Sequence, residues 1–82
     1  MTNAEYEEIE MTCERVGTIF LPSGKQSIAR EFLLDPEKFI GGFLNTRKGF
    51  QEIKGDEKII YVPKYWDSLC QTHRGGEYFL KK

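Results

Sequence analysis

The chain has 82 residues, a formal net charge of −1 and an aromatic content of 13%, which fits one β-rich domain (1–82) with a modest core. The near-neutral charge argues against the strongly basic domains typical of nucleic-acid binding. There is no apolar window near the ~18 residues of a membrane span and no positive signal-peptide region, so we expect a cytoplasmic protein with no membrane partner.

The first predicted element is an acidic segment, residues 1–14, with five glutamates and no lysine or arginine. The other 68 residues, 15–82, form a mildly basic body with a net charge of +4. An apolar face at helical spacing, opened by Asn3 and closed by Gly17, predicts a helix. Alternation of apolar and acidic residues over 8–14 fits a half-buried strand instead. We prefer the helix because acids near its start favour the helix dipole. The helical face would contain Tyr6, Ile9, Cys13 and Val16.

Residues 16–34 predict a β-hairpin. Val16–Leu21 is typical of a strand, and Pro22–Lys25 is typical of a tight turn in which glycine supplies a positive φ. Ser27–Leu34 is predicted as the partner strand, with Ile28, Phe32 and Leu34 on one face.

Residues 35–62 predict one helical turn and a second hairpin. Asp35 as N-cap and a following proline indicate a turn at 35–38. The next apolar run is predicted as a strand bent at its two glycines, each of which costs a helix about 1 kcal/mol, and 45–49 as a polar connection. Gly49–Lys54 and Lys58–Val62 are then predicted to pair with each other around residues 55–57.

The last third of the chain predicts a short helix at Lys64–Thr72, a loop at 74–76 and a final strand at Glu77–Leu80. Together these elements indicate an α+β fold: a small, mostly antiparallel curved sheet, or a partly open barrel of about five strands with one or two short helices. This outline resembles the SH3-like class, an architecture shared by many unrelated functions.

Asp67, Cys70 and His73 are the strongest candidates for chemistry. On the predicted helix they would share one stripe, with the residue types of a cysteine nucleophile and its base. Together with Cys13, the cysteine and histidine also give three zinc ligands, one short of a closed site. Neither set is complete, so we expect no catalytic residue, no metal and no cofactor, and two free thiols.

Two segments combine basic and aromatic residues. Single-stranded nucleic-acid binders combine a cationic groove with aromatic platforms, so these segments define an alternative function as a small barrel that binds single-stranded nucleic acid. The face would contain Arg47, Lys48 and Phe50 in segment 47–50, and Lys58, Tyr61, Lys64, Tyr65 and Trp66 in segment 58–66.

The acidic segment has three interpretations: a solvated element, a partner for the chain's own basic residues, or a docking face for another protein. In the third, Tyr6, Glu7, Glu8 and Glu10 would meet a basic surface of a larger protein, and charge complementarity would speed association. That pattern fits small inhibitors, such as phage-encoded proteins that block a host nuclease or defence complex, and antitoxins. We therefore predict a non-enzymatic module that occupies the surface of a macromolecular protein partner, with its oligomeric state open.

Overall fold

A computed structural model describes residues 2–81, which form two α-helices, a 3-10 turn and nine strands in antiparallel sheets. The helical elements are α1 (Asn3–Thr12), α2 (Ala29–Leu34) and the 3-10 turn Pro36–Phe39. The strands are β1 (Cys13–Val16), β2 (Thr18–Phe20), β3 (Gln26–Ile28), β4 (Phe43–Thr46), β5 (Gly49–Glu52), β6 (Ile59–Val62), β7 (Tyr65–Asp67), β8 (Thr72–Arg74) and β9 (Glu77–Lys81).

The strands form three sheets with the orders β1-β9-β6, β3-β2-β4-β5 and β7-β8. The α+β class with antiparallel sheets and short helices is confirmed. There are more strands than the predicted five. The β7–β8 hairpin, for example, replaces a predicted helix. Within residues 2–81 the sheets stay open and form no closed barrel.

Helix α1 confirms the helical interpretation of the acidic segment. Its N-cap is Thr2, whose hydroxyl accepts a hydrogen bond from the Glu5 N–H at 3.2 Å, while the Glu5 carboxylate accepts one from the Thr2 N–H at 3.4 Å. This reciprocal pair is a capping box. The helix ends at Thr12, earlier than the predicted Gly17, because Cys13 begins a strand whose backbone pairs with β9.

The β1-β9-β6 sheet lies between two cores. In β9, Phe79 is 0% exposed and Leu80 5% exposed, and successive side chains of a strand point to opposite faces. One face packs on α1 and the other on the four-stranded sheet and α2. The helix core contains Tyr6, Cys13, Val62 and Phe79. The main core contains Val16, Ile19, Ala29, Phe32, Phe39, Leu44, Ile53, Ile59 and Leu80.

The first hairpin is confirmed at its turn and corrected at its end. Strands β2 and β3 pair around a turn closed by the Leu21 N–H donating to the Lys25 carbonyl at 2.9 Å, with Gly24 at φ +88°. The partner strand stops at Ile28, and the sequence A-R-E-F-L-L forms α2 instead. Helical geometry buries Ala29 and Phe32, three residues apart, and leaves Leu34 80% exposed.

The predicted second hairpin is wrong in its pairing. Strand β5 pairs with β4, and β6 pairs with β9. The predicted connection 45–49 instead contains the end of β4 and a tight turn, in which the Thr46 hydroxyl donates to the Gly49 carbonyl at 2.8 Å. The 55–57 segment is a local turn, because the Glu57 carboxylate accepts from the N–H groups of Lys54 and Gly55 at 2.8 Å each.

The predicted helix at 64–72 is a hairpin formed by β7 and β8. Aromatic residues begin β7, and aromatic side chains favour strands. The turn is held by the Asp67 carboxylate, whose Oδ1 accepts from the N–H groups of Leu69 at 3.0 Å and Cys70 at 3.3 Å. The final predicted strand is confirmed as β9. None of the helices in residues 2–81 has the length and apolar character to cross a membrane.

Candidate interaction surfaces

The outer face of the four-stranded sheet carries three phenylalanines. Ile19 in β2 and Leu44 in β4 point into the main core and are 0% exposed. Their strand neighbours Phe20 and Phe43 therefore point outward, and the register places these two directly opposite each other. Phe50 in β5 lies opposite Asn45, one outward position along. We call Phe20, Phe43 and Phe50 the phenylalanine surface.

The phenylalanine surface borders an apolar groove. The rings of Phe20 and Phe50 lie 5.6 Å apart at 69°, an edge-to-face contact across the sheet. Phe43 is 46% exposed and Phe50 68% exposed. The groove has a volume of about 330 Å³ and is lined by Phe20, Leu21, Pro22, Gly24, Phe43 and Phe50. Contiguous exposed apolar surface of this kind is a mark of interaction sites.

Charged residues of both signs lie near this surface. Glu52 in β5 lies directly opposite Phe43. Arg47 and Lys48 form the exposed turn between β4 and β5. The Lys48 Nζ lies 3.7 Å from Glu14 Oε1, so one basic residue of the body pairs with the acidic segment. The border of the phenylalanine surface is therefore mixed in charge.

The predicted acidic docking face is divided by the fold. Tyr6 is 3% exposed: its ring packs edge-on against Phe79 with centroids 6.1 Å apart, and its hydroxyl donates to Glu77 Oε2 at 2.9 Å. Burial, with the hydrogen bond to Glu77, raises the pKa of Tyr6 to about 12. Glu10 is half-buried, while Glu7 and Glu8 are exposed. Tyr6 thus anchors α1 to the sheet, and the exposed part of the predicted face consists of Glu7 and Glu8.

The predicted nucleic-acid residues lie on three different sheets. Segment 47–50 (Arg47, Lys48, Phe50) is at the turn of the four-stranded sheet. Tyr61 is in β6, where its ring contacts Tyr78 with centroids 4.9 Å apart. Tyr65 and Trp66 are in β7, Lys64 precedes them, and Lys58 precedes β6. The structure distributes these eight residues over the molecule rather than along one strip.

In the β7–β8 hairpin, both carboxylate oxygens of Asp67 contact polar groups of the protein. It is 1% exposed, and its Oδ1 accepts from the Asn3 Nδ2 at 2.8 Å in addition to the two turn N–H groups. Its Oδ2 lies 2.8 Å from the Arg74 Nε, an ion pair without hydrogen-bond alignment. The hydrogen bond from Asn3 and those from the turn hold the pKa of Asp67 below its ordinary value against the opposing effect of burial.

Cys70 and His73 contact different residues. The Arg74 Nη2 donates to the Cys70 Sγ at 3.5 Å, whereas the His73 ring packs edge-to-face on Trp66 with centroids 5.0 Å apart. Cys13 is buried in the helix core and Cys70 is exposed, both as free thiols. In the part of the chain that the structure describes, no three His, Cys, Asp or Glu side chains converge as a metal site.

The sequence indicated Phe50 as a surface residue but missed Phe20 and Phe43. The available signal was alternation along the strands. In β2 and β4 an aliphatic residue, Ile19 or Leu44, is next to a phenylalanine, so the two side chains must point to opposite faces of the sheet. That signal became informative only with the register of β2 against β4. Comparison of the chain with protein-family models, with curated proteins and with solved structures found no match.

Proposed function

We propose that this chain is a non-enzymatic binding module that occupies the surface of a protein partner through the phenylalanine surface. The observation that carries the proposal is the groove between Phe20, Phe43 and Phe50, an apolar surface that the chain leaves open to solvent. Exposed aromatic anchors beside a pocket, with a charged rim, are the features of binding hot spots in protein interfaces.

A single-stranded nucleic acid is the second candidate ligand. The same phenylalanines could stack on bases, and the Arg47–Lys48 turn stands at the end of the hairpin that carries Phe50. The charges of two residues argue against a nucleic-acid ligand. Glu52 lies beside Phe43 on the same face, where it would repel phosphate, and Lys48 is partly neutralised by Glu14. A protein partner fits this mixed border better.

Binding would inhibit the partner protein, because a small module that covers a surface of the partner blocks the function of that surface. We further propose that it acts in the cytoplasm. The free thiols of Cys13 and Cys70 support this location, because reducing compartments keep cysteines unpaired.

The test compares capture of a protein partner from nuclease-treated native extract by the wild-type chain and by Phe43→Ser/Phe50→Ser. Both side chains are exposed, so the double variant should fold, and loss of two anchors should weaken binding by about a hundredfold. Tyr61→Ser, which removes an exposed aromatic residue from a different sheet, is the matched control and should capture the partner as wild type does. Unchanged capture by the phenylalanine variant would contradict the proposal.

Two further arms separate the alternatives. Glu7→Lys/Glu8→Lys should retain the partner, because α1 and the phenylalanine surface are separated by the packed sheets; loss of capture in this variant alone would assign binding to the acidic face. A labelled single-stranded oligonucleotide should remain unbound at low salt. Binding of the oligonucleotide that disappears in Phe43→Ser/Phe50→Ser would instead support the nucleic-acid function.

A further inference from the structure

Strand β5 is an open edge of the four-stranded sheet. Among residues 2–81 its neighbour in the sheet is β4, on one side only, and all four of its residues, Gly49–Glu52, are exposed. An edge strand presents backbone N–H and C=O groups with which another chain can pair. Addition of an extended peptide to such an edge is a recurring mode of protein recognition.

The backbone groups of Phe50 and Glu52 face this open edge. Just after β5, the Ile53 N–H and the Ile53 carbonyl are both hydrogen-bonded, at 2.9 Å each, to backbone groups of the two glycines that precede β4. The N–H and C=O groups of successive residues in a strand point to alternate sides. Gln51 therefore faces β4, as Ile53 does, and the residues on either side of Gln51 face outward.

The two faces of β5 border different cavities. Phe50 lines the apolar groove of the phenylalanine surface, whereas the neighbouring Gln51 points to the opposite face. There Gln51 lines a second cavity of about 330 Å³, together with Glu14, Asp56, Glu57, Leu80 and Lys81. One edge strand thus separates an apolar groove from a cavity that contains three carboxylates.

The charges of this second cavity favour a cation. Lys81 supplies one ammonium group among its lining residues, and Lys48 supplies another that lies 3.7 Å from Glu14. The Glu57 carboxylate accepts hydrogen bonds from two N–H groups of its own turn. Asp56 is exposed and takes part in none of these contacts. A further basic side chain beside Gln51 would therefore be attracted, chiefly by Asp56.

We propose that the partner segment bound by this module is an extended strand of alternating apolar and basic residues, which pairs antiparallel with β5. An apolar side chain opposite Phe50 then extends the phenylalanine surface, and the next side chain, a basic one opposite Gln51, enters the acidic cavity. Antiparallel pairing continues the arrangement of the sheet and is slightly more stable per residue than parallel pairing. This inference rests on the proposed function and names the chemistry of the partner.

Antiparallel pairing determines which amides of the partner strand bond to β5. Directly opposite residues of two antiparallel strands share a face and, at alternate positions, exchange two hydrogen bonds. Because Phe50 and Glu52 face the open edge, the residues opposite them, which are the apolar ones, bond to β5. The basic residues, opposite Gln51 and Gly49, direct their N–H groups away from β5.

Binding of a synthetic peptide tests this recognition. The probe has a central phenylalanine, a lysine on each side of it and a valine beyond each lysine. Fluorescence anisotropy of the labelled peptide at low salt should show saturable binding to the wild-type chain. Binding to Phe43→Ser/Phe50→Ser should be at least about tenfold weaker, because the central phenylalanine loses its apolar contacts.

N-methylation of the peptide tests the pairing. Methyl groups on the amides of the phenylalanine and the valines remove the donors that face β5 and should weaken binding by at least about tenfold. The matched control carries methyl groups on the lysine amides, which face away, and should bind within about twofold of the unmodified peptide. Equal losses from the two patterns would overturn the proposal.

Charge reversal tests the acidic cavity. Asp56→Lys should bind the lysine peptide about tenfold more weakly than wild type, and should bind a peptide with glutamates in place of the lysines better than wild type does. Glu7→Lys, the matched control, makes the same charge change at an exposed position of α1 and should leave both affinities unchanged. Far-UV circular dichroism establishes that each variant is folded. Asp56→Lys binding both peptides as wild type does would overturn the proposal.

Failure of this inference is distinguishable from failure of the proposed function. A wild-type chain that shows no saturable binding up to about 1 mM lysine peptide would overturn the recognition of a basic and apolar strand. The proposed function is contradicted by a different result, namely capture of the protein partner by Phe43→Ser/Phe50→Ser as efficiently as by wild type.

Discussion

At the residue scale, Asp67 joins three parts of the chain that are distant in sequence. Its carboxylate binds Asn3 at the start of α1, the N–H groups of the β7–β8 turn, and Arg74 in β8. The Arg74 guanidinium in turn lies 5.6 Å from the centre of the Tyr6 ring, a cation–π contact that links the hairpin back to α1. The carboxylate therefore holds the helix and the hairpin together.

The stability of the fold should depend on the ionisation of Asp67. A carboxyl with a lowered pKa contributes stability that is fully present above its unfolded pKa, about 3.9, and is lost as the pH falls through the lower folded value. Wild type should be more stable than Asp67→Asn at neutral pH, and the difference should shrink below about pH 4.

Urea unfolding over the acidic range measures this difference. Asp56→Asn, a substitution of an exposed aspartate in the 55–57 turn, is the control and should show little difference at any pH. A gap between wild type and Asp67→Asn that stays constant with pH would show that the carboxylate charge contributes nothing to the fold.

The residue types at this site were visible in the sequence, but their roles were not. Asp67, Cys70 and His73 share a stripe only on a helix, and the chain forms a strand and a turn there. Residues of a strand alternate in direction, so Asp67 turns inward while the neighbouring Trp66 is 56% exposed and contacts His73. Asn3, the partner that binds the carboxylate, lies 64 residues away and could not be identified locally.

At the element scale, α2 shows how tertiary contacts select between two periodicities. The sequence of residues 29–34 accommodates a strand with Phe32 and Leu34 on one face, or a helix with Ala29 and Phe32 on one face. The helix covers the main core, where the Phe32 and Phe39 rings pack with centroids 5.6 Å apart. A hydrogen bond from the Ser27 hydroxyl to the Glu31 carboxylate supports the first turn.

Two alanine substitutions distinguish these conformations. Phe32→Ala should cost about 3–5 kcal/mol of unfolding free energy, because it removes a ring that is 2% exposed. Leu34→Ala should change it by less than about 0.5 kcal/mol, because that side chain is exposed. Urea denaturation of both variants provides the measurement. Comparable losses at the two positions would indicate that residues 29–34 form the strand that the sequence predicts.

The elements that local chemistry determines were predictable. The turn after β2 uses a proline and a glycine with positive φ, and Pro22 and Gly24 lie two residues apart in the sequence. The glutamates of α1 lie within the helix, and its N-cap Thr2 directly precedes it. By contrast, β6 pairs with β9 rather than with its sequence neighbour β5, and no local pattern specifies that choice. The sequence therefore predicts the turn after β2 and the helix α1, but not which strands pair, since the β4–β5 and β7–β8 hairpins were both missed.

At the scale of the whole molecule, the layers place the two candidate surfaces on opposite sides. Helix α1 covers one face of the β1-β9-β6 sheet, the main core fills the space on its other face, and the phenylalanine surface lies beyond that core. The molecule extends 43 Å along its longest axis and 19 Å along the other two. A single compact interface with a partner protein can therefore include either the acidic face or the phenylalanine surface, but not both.

This arrangement also revises the meaning of the acidic segment. The charge division between residues 1–14 and 15–82 is visible in the sequence. In the structure, however, Tyr6 is buried in the helix core and Glu14 forms an ion pair with Lys48. The exposed phenylalanines carry no charge signal and depend on sheet register. The candidate site was therefore the least predictable part of the molecule.

Amide hydrogen exchange of the chain, alone and bound to its captured protein partner, tests the phenylalanine surface most directly. We expect partner-dependent protection in strand β5, at Gly49–Glu52, and in the turn at residues 21–25, because both segments border the groove and residues 22–25 and 49–52 are exposed in the free chain. Protection confined to α1, with residues 21–25 and 49–52 unchanged, would contradict the assignment of binding to this surface.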